Sequence, residues 1–369
     1  MSIVRAHSQD DLRMLRGSVR TLLERAGGIA RARNARDKGW DRRVMSQLAD
    51  AGVLGVATPE AAGGLGMGLA AAGVIAEEVG RALAPEPVAS AIALAIGMIQ
   101  RVCPREKILA SAISGETNYV LAWQERGPRG YPDQMACRFD GKMLNGSKAW
   151  IAGAVGADQL LVVAQKESQP VLVALDAYGK GIYSELRRQS DGSQLCDIGF
   201  VEAPGKLLAE GSVVWEALSS VVADATALAA AELVGLSAKA LELTLDYVKT
   251  RAQFGKPIGS FQVIQHRAVD LYVSQQVAEA GVSEALARMD AFADPGARMR
   301  EASRAKARAC STARKITRGS IQLHGAVGYT DELDIGLFLN RALVLSAWLG
   351  DEVHHRARWM DAHEANEAG

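Results

Sequence analysis

Cysteine is scarce: the 369 residues hold four, Cys103, Cys137, Cys196 and Cys310, far apart and without a CxxC pair. Such spacing supports neither a zinc site nor an iron–sulfur cluster nor a disulfide scaffold, so the four read as reduced core residues. Net charge is also missing. Lys+Arg 42 balances Asp+Glu 42, so no overall basic field favours nucleic acid or anionic lipid, and no acidic excess points to disorder. No uninterrupted apolar run reaches the ~18 residues of a membrane span, and Met1-Ser2-Ile3-Val4-Arg5-Ala6-His7 holds no apolar signal core. The expectation is a soluble cytoplasmic protein with no membrane span, no nucleic-acid partner and no metal centre.

Proline is unevenly spread. Five of the ten fall between residues 103 and 204, and after them only Pro257 and Pro295 interrupt the chain. Because proline breaks helix interiors, the Ala-, Leu-, Glu- and Arg-rich segments beyond 208 predict long helices. The first 118 residues also read as helical, beginning where Asp10 and Asp11 precede Leu12, Leu15, Val19, Leu22 and Leu23. From 119 the period shortens to strand-like runs such as Leu160–Ala164 and Val171–Ala174, with Asp140-Gly141 and Asn145-Gly146 as turns. The pattern predicts a helical domain over 1–118, a small antiparallel β domain over 119–208 and a helical bundle over 209–369. Helices and strands are segregated, which excludes alternating β-α units.

Two local motifs fail on context. Gly66-x-Gly68-x-x-Ala71 resembles a dinucleotide fingerprint, but Pro59-Glu60-Ala61-Ala62 stands where a strand is required, so a helix-to-helix turn is expected. His354-His355, near Glu352 and His363, lack a metal spacing, since neighbours on a helix diverge by about 100°. A solvated helix face is expected there.

The informative segment runs from Arg251 to His266, Arg-Ala-Gln-Phe-Gly-Lys-Pro-Ile-Gly-Ser-Phe-Gln-Val-Ile-Gln-His, between two apolar-periodic stretches. A loop joining two helices, carrying an Arg fork, amides and a helix N-terminus, offers donors suited to a pyrophosphate. The segment closely resembles the signature of the acyl-CoA dehydrogenase family. Three other stretches agree in order: Leu48–Gly55 leading to Gly63-Gly64-Leu65-Gly66, Gly146–Gly153, and Gln322-Leu323-His324-Gly325-Ala326-Val327-Gly328-Tyr329-Thr330.

The resemblance implies an N-terminal helical domain, a middle β domain, a C-terminal four-helix domain and a bound FAD. It places Arg251 and Gln253 on the FAD diphosphate across a subunit interface, and Phe254, Gln262, Gln322 and Gly325 against the same cofactor. Trp150 falls where the family lays an aromatic ring on the flavin. The implied assembly is a homo- or heterotetramer, the substrate an acyl-CoA thioester and the usual acceptor electron-transfer flavoprotein.

Departures from the pattern concern the chemistry. Ala122-Trp123-Gln124-Glu125-Arg126-Gly127-Pro128 replaces a Thr-Glu-Pro type stretch, Ala152 replaces a Thr, and Ala326 replaces a Gly. The family's catalytic glutamate falls on Leu349, and the alternative base and its neighbouring Arg, on an earlier helix, fall on Ala225 and Thr226. Asp224, Asp351 and Glu352 are the nearby carboxylates, so the catalytic group is unassigned. Two forms of the activity follow: a dehydrogenase with a displaced base, or a subunit completing the FAD site of a base-bearing partner. A flavin-dependent oxygenase on the same fold and a flavin-free structural homologue are the alternatives.

Overall fold

A computed structural model describes residues 8–104, 107–127 and 135–367; Met1–His7 and Pro128, both read above, lie outside them. The described chain sorts into two compact units.

The first unit comprises residues 37–68 and 85–225. It holds α3 (Arg42–Asp50), a wide π turn at Ser90–Ile96 that continues as α5 (Gly97–Val102), and α6 (Lys107–Ile113). Its strands are β1 (Tyr119–Ala122), β2 (Arg138–Phe139), β3 (Met143–Ala152), β4 (Gln159–Lys166), β5 (Gln169–Asp176), β6 (Ile182–Arg188), β7 (Gln194–Pro204) and β8 (Lys206–Glu210). They form one sheet in the order β6-β7-β3-β2-β4-β5-β8, with β1 added on β4. Most pairs are antiparallel, but β1 and β2 both run parallel to β4. The sheet is thus mixed where the sequence suggested an antiparallel one. β1 follows a helix instead of a hairpin turn, and such a strand is free to pair in parallel. Central β4 is buried along Leu160–Ala164, whereas edge strand β6 is exposed along nearly its whole length. Val162, Val173, Phe139, Leu144 and Phe200 pack the core of this unit.

The second unit comprises the described residues 8–36, 69–84 and 226–367. It contains α1 (Gln9–Arg25), α2 (Ala30–Lys38), α4 (Gly68–Ala82), α8 (Gln262–Ala291), α9 (Pro295–His324), α10 (Ile335–Ala347), α11 (Glu352–Glu367) and the longer part of α7 (Ser212–Thr250). α1 starts in a capping box: Ser8 Oγ accepts from Asp11 N–H and the Asp11 carboxylate accepts from Ser8 N–H, both at 3.1 Å. α7 is long and apolar enough to cross a membrane, yet 94% of that apolar window is buried within the chain, as in a core helix. α4 meets α7 at two glycines. A Cβ on Gly80 would stand 2.1 Å from Glu232 O, and one on Gly235 would stand 2.0 Å from Glu77 O, so only glycine allows this crossing.

The turn before α4 confirms why the glycine-rich stretch is no nucleotide loop. Gly63, Gly66 and Gly68 have positive φ, and the first N–H groups of α4, on Leu69 and Ala70, donate to the Asp290 carboxylate at 2.6 and 3.0 Å. An internal carboxylate already occupies the place of a phosphate. Cys137, Cys196 and Cys310 are buried free thiols, while Cys103 is half-buried.

Candidate active site

The Arg251 segment forms a tight hairpin. β9 (Ala252–Gln253) pairs with β10 (Lys256–Pro257), and Phe254 and Gly255 between them both have positive φ, +53° and +77°. That two-residue turn suits a right-handed strand twist. A short helical turn over Ile258–Ser260 then leads into α8, whose first residue is Gln262. Phe254 is 91% exposed and meets Phe261 edge-on at 6.3 Å, with Lys256 Nζ 4.4 Å from the Phe261 ring centre.

Gln322 and Gly325 lie at the end of α9. Gly325 has φ +68°, and open space surrounds the position of a Cβ. The Tyr247 ring, one turn before Arg251, stacks on His324 at 4.3 Å, and its hydroxyl donates to His324 O at 3.3 Å. This stack joins the end of α7 to the end of α9, and thereby the Arg251 group to the Gln322 group. Sequence reasoning missed it, although His324 lies inside the matched turn.

The donor chemistry of these residues fits FAD. Arg251, Gln253, Gln262 and Gln322 are exposed, so their polar heads can reach a ligand. A guanidinium fork and amides match diphosphate oxygens, and Gly325 leaves the backbone room to approach.

Trp150 belongs to the first unit. It sits at a bulge in β3, where the register with β7 shifts between Lys148 and Ile151, and its φ is +57°. A bulge re-aims a side chain. Asp197 fixes this one by accepting Trp150 N–H at 3.0 Å, while Arg187 and Arg126 also donate to the same carboxylate. Burial pushes the Asp197 carboxyl up, but the bonds from Arg187, Trp150 and Arg126 outweigh it and hold the group below the usual range.

Beside the bulge, Lys148 is fully buried. Its Nζ donates to Glu125 Oε1 at 2.7 Å and Trp123 O at 3.1 Å, and Glu125 also accepts the backbone N–H groups of Ala136 and Cys137. Burial lowers the Lys148 pKa, partly offset by Glu125; burial would raise that of Glu125, but Lys148 and the two N–H groups bring it down. The departure of 122–128 from the family pattern therefore carries a structural job for Glu125. Glu125→Gln keeps an acceptor but loses the charge and is expected to cost about 1.5–3 kcal/mol, read as a lower urea midpoint at unchanged slope. A midpoint equal to that of the unaltered chain would show the pair to be neutral.

At the position of the family's base, α10 ends and the chain turns into α11. Leu349 has φ +62° and Gly350 +110°. A Cβ on Gly350 would lie 2.6 Å from His354 Cδ2. Lys306, with no exposed surface, donates to Leu345 O at 2.5 Å and Trp348 O at 2.9 Å, satisfying carbonyls left open at a helix end. His355 reaches Leu349 O through Nε2 and Ser303 Oγ through Nδ1, each at 3.1 Å. A carbonyl only accepts, so Nε2 carries the proton and Nδ1 accepts from Ser303. The expected solvated histidine face is thus wrong for His355, which is fully buried. Ser303 and Lys306, more than forty residues earlier, supply polar company that local sequence does not reveal.

The three substitute carboxylates are engaged. Asp224 is buried and pairs with Arg101 at 2.7 Å. Asp351 caps α11 by accepting His354 N–H at 2.9 Å. Glu352 pairs with Arg314 and, at 2.9 Å, with Arg356. Ala225 and Thr226 are buried and carry no acid.

A segregated helix–sheet–helix chain carrying this hairpin and glycine turn has the architecture of a flavin-dependent acyl-thioester oxidoreductase. Family models agree: "Acyl-CoA dehydrogenase, N-terminal domain" matches residues 9–116, and "Acyl-CoA dehydrogenase, C-terminal domain" matches 215–362. The chain is 31% identical over 338 residues to acyl-CoA dehydrogenase IpdE2 of Mycobacterium tuberculosis, covering 90% of this chain and 91% of that protein. Among solved structures, a variant of the Tcur3481-Tcur3483 steroid ACAD superimposes with TM-score 0.86 at 27% identity, covering 98% of this chain and 99% of that one. The ChsE4-ChsE5 complex from Mycobacterium tuberculosis gives TM-score 0.83 at 22% identity over 95% and 96%. The chain belongs to the acyl-CoA dehydrogenase family of oxidoreductases.

Proposed function

We propose that this chain binds FAD and serves the α,β-dehydrogenation of a CoA thioester as a subunit without its own base, completing the flavin site of a related, base-bearing partner in a heterotetramer. One observation carries the reading. The turn at 348–350 is fully built, clamped by Lys306 and His355, yet presents Leu349, and the candidate substitutes Asp224, Asp351 and Glu352 are each paired or capping. The Tcur3481-Tcur3483 steroid ACAD and the ChsE4-ChsE5 complex, each named for two components, support a mixed assembly.

FAD, when bound, supplies the hydride acceptor. By the family resemblance this chain's residues would bind it: Arg251 and Gln253 at the diphosphate, Gln262, Phe254, Gln322 and Gly325 against the cofactor, and Trp150 on a flavin ring. Proton removal falls to a partner, since a leucine cannot take up a proton. Phe254 and the α8 residues Val269, Val273 and Val277, one turn apart and exposed, offer apolar surface to that partner. Electron-transfer flavoprotein is the acceptor that fits this chemistry.

Arg251→Ala removes a charge-assisted phosphate contact of roughly 1.5–3 kcal/mol, so FAD retention is expected to fall about tenfold or more. Retention equal to that of the unaltered chain removes the assigned site. The subunit reading is tested by mixing the chain with a related, base-bearing chain: flavin bleaching by acyl-CoA is expected only in the mixture, and ordinary turnover by the chain alone contradicts it.

A further inference from the structure

The first unit encloses a cavity of about 170 Å³. Its floor is apolar, made by Met45 of α3, the following Leu54, Ala91 and Ile96 of the π turn, and Ala112 of α6, all buried. In an α-helix, residues five apart point about 140° away from each other. The π winding aligns them instead, so that Ala91 and Ile96 both face the cavity, and such windings gather at functional sites. An apolar cavity of about 150 Å³ accepts a benzene-sized guest; this pocket has that size, with apolar lining from its buried residues.

The mouth is polar and holds Trp40, Arg42, Ser46, Glu116, Asn118 and Tyr119. Arg42 is already neutralised: its Nη1 meets Asp158 Oδ1 at 2.9 Å, its Nη2 meets the other oxygen, and Asn118 N–H donates to that carboxylate at 2.8 Å. Glu116 is exposed and, among the described residues, forms no ion pair, so with Arg42 neutralised it leaves the lining one net negative charge. Two aromatic residues share the same lining, and their polar ends are already engaged. The Trp40 indole N–H donates to Val155 O at 2.8 Å, and Tyr119 Oη lies 3.2 Å from Ser111 Oγ.

We propose that this cavity is a binding site for a small organic cation, with the ammonium at the mouth between Glu116 and the rings of Trp40 and Tyr119, and a benzene-sized apolar body on the floor. A desolvated cation is favoured by aromatic faces and by an unpaired carboxylate together, whereas an anion of the same body meets like charge. None of Trp150, Arg251, Gln253, Gln322 or Leu349 lines the cavity, so the proposal is independent of the flavin reading.

The test is a titration of the full chain with benzylamine, benzyl alcohol and benzoate, read by tryptophan emission and thermal midpoint. Benzylamine is expected to saturate, to raise the midpoint and to lose about tenfold in affinity with Glu116→Gln. Benzyl alcohol is expected to bind more weakly and to ignore that substitution, with benzoate weakest. Ala112→Leu, which fills the floor, is expected to abolish binding; if that variant does not fold, Ser46→Trp obstructs the mouth instead. The proposal is overturned if no probe saturates, if benzoate equals benzylamine, if Glu116→Gln leaves benzylamine unaffected, or if binding survives a folded blocking variant.

Discussion

Leu349→Glu is expected to raise exchange of acyl-CoA α-protons with solvent by about 10²–10⁴-fold in the FAD-bearing protein, the range that a positioned general base contributes. The expectation rests on the backbone. Lys306 holds Leu345 O and Trp348 O, and His355 holds Leu349 O, so the left-handed turn is set by groups that do not touch the side chain at 349. A glutamate there inherits the same geometry. Lys306→Met in the Leu349→Glu background is expected to reduce the restored exchange while FAD content stays constant, because the turn loses two of its ties. Exchange measured by deuterium uptake decides the matter: a variant that retains FAD and exchanges no faster than the unaltered chain shows that the turn does not face the substrate.

The family and the order of its elements were legible in the sequence, for identifiable reasons. Arg251, Phe254 and Gly255 lie in one continuous segment, and the turn they make depends on local φ preferences that Gly255 signals directly. The order of helices and strands followed from proline placement and from a change of period, both local properties. What escaped was long-range polar pairing. Glu125 read as a departure from a binding loop, because nothing near it announces Lys148, buried twenty-three residues on and bonded to it at 2.7 Å. His355 read as solvated because a hydrophilic letter on a helix gives no sign of Ser303 and the Leu349 carbonyl waiting at its two nitrogens. The parallel pairing of β1 with β4 was hidden similarly, since register between distant strands is set by tertiary packing.

The unfolding free energy is expected to fall with acid between about pH 6 and pH 4, with His355 supplying a slope near 1.4 kcal/mol per pH unit. Burial pushes the His355 imidazole down, the charges of Lys306, His354 and Arg358 add to this, and the bond to Leu349 O opposes it, leaving the pKa at about 3 against an ordinary 6.5. In the unfolded chain the ring takes up a proton as pH drops below that ordinary value; in the folded chain it does not until about pH 3. The unfolded state therefore binds the extra proton through the whole window. The stability held above pH 6.5 is lost progressively, to a total on the order of 5 kcal/mol. His355→Gln keeps an N–H able to reach Leu349 O but cannot titrate. Urea unfolding of the two proteins at intervals from pH 7.5 to pH 4 is expected to give a shallower dependence for the variant, by about that slope. Parallel curves would mean that the ring is protonated in the folded state, and then Nδ1 could not accept from Ser303.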